Sequence, residues 1–249
     1  MIYAALTFWL LVVVMAALGA HRLLSSLVKP RLLNMLLLPG TLVAQLGHVL
    51  GLLITGATVS NTALYNVEQA WEPQTTADPK PRIPVIGPVV IGLLPLMACA
   101  AAIIVVTHFL GGAFLRRVPA NLVGPGLPAS LGGWWQLARD QITLTESFVA
   151  AVLGADWSSW RTWLFLYLLT CLTIRTAPFP GTLRGALVAI VILGVATAAA
   201  TSVFAGAGSR VQAGWSALAL AVATALSLLL ITLLLRGGVS LVKLFAGRP

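Results

Sequence analysis

The chain has 249 residues, of which 59% are hydrophobic and only 8% are charged. Soluble domains carry roughly 25% charged residues, so this composition excludes an ordinary soluble protein and predicts an integral membrane protein. The net charge is +9, but the basic residues are scattered at the ends of apolar runs. This placement favours anionic lipid headgroups, so we expect a lipid bilayer and no nucleic acid as partner.

Apolar runs follow one another along the whole chain. We expect six membrane helices, at residues 1–20, 32–55, 87–114, 163–176, 185–205 and 213–235. They predict an all-α, polytopic helical bundle that forms one integral membrane domain over residues 1–249. We expect a multi-pass protein of the bacterial inner (cytoplasmic) membrane, with the N-terminus outside. A basic inner turn follows the first run and comprises His21, Arg22, Lys29 and Arg31.

Two stretches between the runs differ in composition. Residues 58–84 carry three acidic residues and four prolines, and are predicted to form an outer loop. Residues 118–160 are predicted to be an interfacial or re-entrant region, because a Pro/Gly-rich stretch precedes the aromatic pair Trp134–Trp135. Within it, residues 142–155 form either one short re-entrant or interfacial helix or a further crossing. The positive-inside rule favours the crossing slightly, and both alternatives stay open.

The second run contains residues that disturb a helix. Pro39 and Gly40 stand near its start, where proline would end or kink the helix. A membrane helix tolerates this only where neighbouring protein satisfies the freed backbone groups, so we predict that this helix is central. Gly47 and Gly51 have the small-xxx-small spacing that predicts close contact with another helix, which belongs to the same chain by default or else to another subunit.

Carboxylates are absent from the six runs. All six acidic residues lie between Glu68 and Asp156, in connecting segments or in residues 142–155. Proton relays and ion sites in membranes normally use an ionisable oxygen, so the composition argues against an ion-coupled transporter and an acid/base site. His48 is the ionisable residue placed deep in a run. Arg175 and Arg184 are expected to snorkel at helix ends.

Residues 38–51 resemble the active-site helix of the site-2-protease-like intramembrane zinc metalloproteases; their sequence is LPGTLVAQLGHVLG. In that family a Pro-Gly pair precedes H-E-x-x-H, and a Gly-Ala-x-Val turn follows, which residues 56–59 match. The two histidines of the motif bind zinc, and the glutamate is the general base. This chain has Ala44 for the first histidine, Gln45 for the glutamate and His48 as the remaining ligand.

A second, shorter match lies at residues 167–185. The resemblance implies an aspartate as third ligand in a Pro-Ser-x-x-Asp-Leu-x-Gly segment, and Thr182 stands at its position. Alanine has no lone pair, an amide does not accept a proton near neutral pH, and a catalytic zinc needs three protein ligands. We therefore predict no metal, no cofactor and no catalytic residue, and expect His48 to be hydrogen-bonded to a neighbouring helix.

The lost chemistry favours a pseudoprotease: a degenerate family member that acts as a binding or assembly subunit of a membrane complex, with a membrane protein or a second copy of the chain as partner. One alternative is an active intramembrane zinc metalloprotease inactivated by substitution. Thr182 argues against it, since silencing the base and one ligand would rarely also remove the third. Another alternative is a small transporter or channel subunit that shares only the broken helix; the scarcity of polar residues in the runs counts against it.

Overall fold

The computed structural model describes residues 2–56, 59–62, 75–77, 87–178, 183–203 and 214–245. This part of the chain is a helical bundle, as predicted. Its α-helices in chain order are α1 (Ile2–Leu27), α2 (Pro30–Leu36), α3 (Leu38–Ile54), α4 (Gly87–Leu110), α5 (Gly112–Leu115), α6 (Leu131–Leu153), α7 (Trp160–Arg175), α8 (Leu183–Val203) and α9 (Trp215–Phe245).

Long apolar helices dominate the bundle. Among the described residues, three helical segments are long and apolar enough to cross a membrane: Tyr3–Leu27, Val89–Leu110 and Trp215–Lys243. A fourth results if α2 and α3, which are bent by 80° relative to each other, form one span. A bilayer core of roughly 30 Å needs about 20 apolar residues, and α7, with 16 residues, is shorter than that. In α8 the apolar part Leu183–Ala199 is also shorter than that.

A short β ribbon follows α3. Gly56, with a φ of 69°, adopts the left-handed conformation that glycine allows at a helix end. Strand β1 (Val59–Thr62) then pairs antiparallel with β2 (Thr75–Ala77). The ribbon lies in the predicted outer loop, where the sequence does not predict strands; the other residues of that loop lie outside the described part.

α4 is the helix around which α3, α7 and α8 are arranged. α3 packs antiparallel along the N-terminal half of α4, with Gly51 beside Ile91. α7 packs antiparallel along the C-terminal half, with Phe165 beside Gly111. The prediction that the helix with the Pro-Gly pair is central was wrong, because α4 contacts α3, α7, α8 and α9, whereas α3 makes more than marginal contact only with α2, α4 and α7 among the described helices.

The break in the second run falls at Leu37, before Pro39. Pro39 lies in the first turn of α3, where a missing N–H leaves no hydrogen bond unmade. The Leu37 N–H donates to the Leu33 carbonyl at 3.0 Å, and the Leu37 carbonyl accepts from the Thr41 N–H at 2.9 Å. The chain therefore turns sharply here without losing these backbone hydrogen bonds.

α1, α6 and α9 extend well beyond their apolar runs. α6 has 23 residues and begins at Leu131, so the run at 142–155 is the second half of a longer helix that also contains Arg139 and Asp140. These charges shorten the apolar run without ending the helix, so the predicted short helix was wrong in its length. α9 continues to Phe245, ten residues past the predicted end of its run at Leu235.

The stretch before α6 is tied into the bundle. The indole N–H of Trp9 donates to the Gly124 carbonyl at 3.1 Å. The indole N–H of Trp215 donates to the neighbouring carbonyl, that of Val123. Val123 is fully buried. This part of the predicted interfacial region is thus clamped between α1 and α9, because two buried indoles need acceptors and the connecting backbone supplies them.

Candidate functional site

The small residues of α3 form its contact with α4. A Cβ added to Gly47 would lie 2.6 Å from the Leu94 carbonyl oxygen and 2.7 Å from the Pro95 Cα. A Cβ added to Gly51 would lie 3.0 Å from the Ile91 Cα. The predicted close helix contact is confirmed, and its partner is another helix of the same chain.

The degenerate motif positions lie on this side of α3 and are buried. Ala44 is 1% exposed and packs against Cys99 of α4. Gln45 and His48 are buried as well. Thr182 lies outside the described residues. The structure therefore places Ala44, Gln45 and His48 in the core of the bundle.

The zinc that the resemblance implies does not fit these residues. A methyl group stands at the first ligand position and an amide at the general base, which leaves one imidazole from α3. No group of three or more His, Cys, Asp or Glu in the described part of the chain could hold a metal ion. The three protein ligands of a catalytic zinc are not assembled here.

A second polar group lies where α7 ends and α3 begins. A Cβ added to Gly40 would touch the Cys171 carbonyl group, with the carbon at 2.7 Å, and would lie 3.0 Å from Arg175 Cγ. Arg175 is 2% exposed. Its Nη2 donates to the Asn34 Oδ1 of α2 at 3.4 Å. The expectation that Arg175 snorkels to an interface was therefore wrong, because α2 and α3 close over the end of α7.

Further residues join this helix junction, which we define as Arg175, Asn34, Cys171, Cys99 and His21. The Cys171 thiol donates to the Leu36 carbonyl at 3.2 Å, and the Cys99 thiol to the Arg175 carbonyl at 3.6 Å. His21 of α1 is buried and interacts electrostatically with Arg175. The sequence places His21 in an exposed basic turn; it is buried because α1 continues to Leu27.

The helix junction lies at half the length of α4. Cys99 stands midway between Gly87 and Leu110, the ends of that helix. An ionisable residue at such a depth in a membrane bundle is a candidate for function, since its burial is costly. The sequence signal for the helix junction is Arg175 shortly before a Pro-rich break. An ordinary helix end shows the same pattern.

An apolar cleft of about 330 Å³ opens beside the junction, between α1, α4 and α9. Residues of these helices that line it include Leu10, Val14, Met97, Ala100, Ile103 and Leu218. Thr176 contributes a hydroxyl. The cleft is suited to an apolar group such as a side chain or a lipid chain.

No family model, no curated protein and no solved structure matches this chain. The resemblance to the site-2-protease-like family therefore stays a prediction from residues 38–59 and 167–185.

Proposed function

We propose that the chain is a catalytically inactive, protease-like membrane protein that acts as a binding or assembly subunit of a membrane complex. The observation that carries this proposal is the burial of Ala44 against Cys99, with Gln45 buried beside it. Two buried side chains that pack in the core therefore stand where the family has its first zinc ligand and its general base. A scaffold that has lost its catalytic groups can still bind another molecule.

The relation between the two matched segments supports this proposal. α3 carries the first match, and the second begins in α7. The two helices are in contact, with Gly40 of α3 against the last turns of α7. An intramembrane metalloprotease scaffold needs such a contact, because the resemblance implies that both segments contribute ligands to one metal.

We further propose that the six apolar runs cross the bacterial inner membrane. α1, α4 and α9 have the length and composition for a crossing by themselves. α2 and α3 would cross as one bent span, and α7 and α8 would cross against α4. Interrupted helices are tolerated in a membrane where protein groups satisfy their backbone ends, as the thiols and side chains of the helix junction do.

The partner's contact is best assigned to the apolar cleft between α1, α4 and α9. Ala100 lines this cleft, whereas the adjacent Ala101 is exposed on another side of α4. Ala100→Trp would fill the cleft, and Ala101→Trp adds the same side chain outside it. The two substitutions therefore form a matched pair for a binding test.

The test is purification of tagged chain from its natural host in mild detergent, with quantification of co-purifying chains. We expect a stoichiometric membrane protein with the wild type and with Ala101→Trp, and its loss with Ala100→Trp at equal expression and equal thermal stability. His48→Gln should retain the partner, since no catalysis is involved. Loss of the partner with His48→Gln, or retention with Ala100→Trp, would contradict the proposal.

The helix junction favours a second candidate, a transporter or channel subunit. Transporter sites commonly form where broken helices meet near the membrane midplane, and α2, α3 and α7 meet beside the midpoint of α4. Cysteine scanning of residues 37–55 with an impermeant thiol reagent tests this candidate. Reactivity along the face of Thr41, Gln45 and His48 would support an aqueous path, and uniform protection would exclude one.

A further inference from the structure

A second cleft, of about 460 Å³, lies where the ends of α4, α6 and α7 meet. We call it the arginine cleft, because its lining combines three arginines with one acid, two hydroxyl groups and an apolar floor. The polar residues are Arg116, Arg117, Arg161, Asp156, Ser159 and Thr162. The apolar floor includes Phe109, Leu110 and Phe114. Three arginines and one aspartate leave this lining with two net positive charges.

The charged groups of the arginine cleft are held at different places. Arg117 Nη1 donates to the Gly154 carbonyl at 2.6 Å, which ties the segment after α5 to the end of α6. Asp156 accepts from the Ser158 N–H at 3.1 Å, within its own turn. Arg116 and Arg161 are exposed, and the Arg161 guanidinium lies over the Trp160 ring, 6.0 Å from its centre. The guanidinium groups of Arg116 and Arg161 are therefore accessible to a ligand, whereas that of Arg117 holds the rim of the cleft in place.

The surroundings place this cleft at the boundary of the hydrocarbon region. The candidate span Val89–Leu110 ends in its floor, and Phe109 there is 75% exposed. Three exposed tryptophans flank it, namely Trp157, Trp160 and Trp163. Tryptophan concentrates at headgroup depth in membranes. A ligand here would meet cationic groups on one side and an apolar surface on the other.

We propose that the arginine cleft binds the phosphate of an anionic phospholipid, whose acyl chains lie on the floor formed by Phe109, Leu110 and Phe114. Arginine presents several N–H donors in a planar fork that matches phosphate oxygens. Basic pockets between membrane helices bind anionic headgroups in this way. The apolar floor favours a lipid over a free phosphate ion. This site is separate from the buried motif and does not depend on the proposed function.

The test is native mass spectrometry of the full chain from detergent that contains equal amounts of phosphatidylglycerol and phosphatidylcholine. Wild type should retain mainly phosphatidylglycerol. Arg116→Gln with Arg161→Gln should reduce that retention about thirtyfold, because each basic residue near a lipid surface contributes about 1 kcal/mol and every 1.4 kcal/mol is about tenfold. Arg22→Gln with Arg184→Gln removes the same charge from exposed positions elsewhere and should leave retention unchanged.

Three results would overturn the proposal. Equal loss in both double variants would show a nonspecific charge effect. Displacement of the lipid by inorganic phosphate would identify a free anion as the ligand. Equal retention of both lipids by wild type would exclude headgroup recognition. Arg116→Lys with Arg161→Lys keeps the charge but not the fork, and should lie between wild type and the Gln variant.

Discussion

Gly47 shows how one residue determines the distance between two helices. The carbonyl of Leu94 and the Cα of Pro95 approach the position of its missing Cβ to within 2.7 Å. No side chain fits there unless α4 moves. Gly47 therefore determines how closely α3 approaches α4. The same close approach buries Ala44, which lies four residues before His48 on α3.

We expect Gly47→Ala to lower the free energy of unfolding by about 1–3 kcal/mol, the usual cost of overpacking a close contact. The matched control is Gly237→Ala in α9, where an added Cβ meets nothing within 4 Å. There the better helix propensity of alanine should leave stability unchanged or raise it by up to about 1 kcal/mol. Thermal unfolding in detergent measures both. Equal stability of the two variants would contradict the close packing of α3 on α4.

The stretch before α6, which contains a short 3-10 helix at Ala120–Leu122, is held by two indole hydrogen bonds. Trp9→Phe removes the donor to the Gly124 carbonyl, and we expect it to destabilise the chain by about 1–3 kcal/mol. Trp160→Phe is the control, because Trp160 is 65% exposed. Thermal unfolding and proteolysis of residues 118–130 should both separate the variants. Equal stability of Trp9→Phe and Trp160→Phe would contradict a structural role for the Trp9 hydrogen bond.

The pairing of α3 with α4 is testable as a disulfide. Ala44→Cys in a Cys171→Ser background should oxidise readily with Cys99, because the two residues pack together and disulfides need Cα atoms about 4.4–6.8 Å apart. Leu46→Cys lies on the exposed face of α3 and should not react with Cys99. Cleavage at a protease site inserted in residues 63–74 shows whether the fragments stay joined. Separation of the Ala44→Cys fragments, or joining in the control, would contradict the helix pairing.

Across the whole molecule, the sequence predicts the helical bundle and the contact glycines well, because apolar composition and small-residue spacing act locally. It does not predict which helix is central. At the break the Cys171 thiol of α7 donates to the Leu36 carbonyl, and this contact on one side leaves α3 with an exposed face on the other. The length of α6 was missed because Arg139 and Asp140 interrupt the hydropathy without interrupting the helix.

The candidate site was predictable only in part. The motif itself identifies Ala44, Gln45 and His48, and helical spacing places them on neighbouring positions of one helix. The helix junction was not predictable, because the burial of Arg175 depends on α2 and α3 closing over the end of α7. The arginine cleft unites residues from three helix ends, and no spacing along the chain indicates such a meeting.

The most direct test of the central claim is the zinc content of the full chain in its natural sequence, purified after growth with added zinc and without chelator. We expect far less than one zinc per chain, with no change on His48→Ala or His48→Gln, because the first ligand and the base positions hold a buried methyl and a buried amide. One zinc per chain that is lost on substitution of His48, together with chelator-sensitive cleavage of a membrane-embedded peptide, would contradict the account.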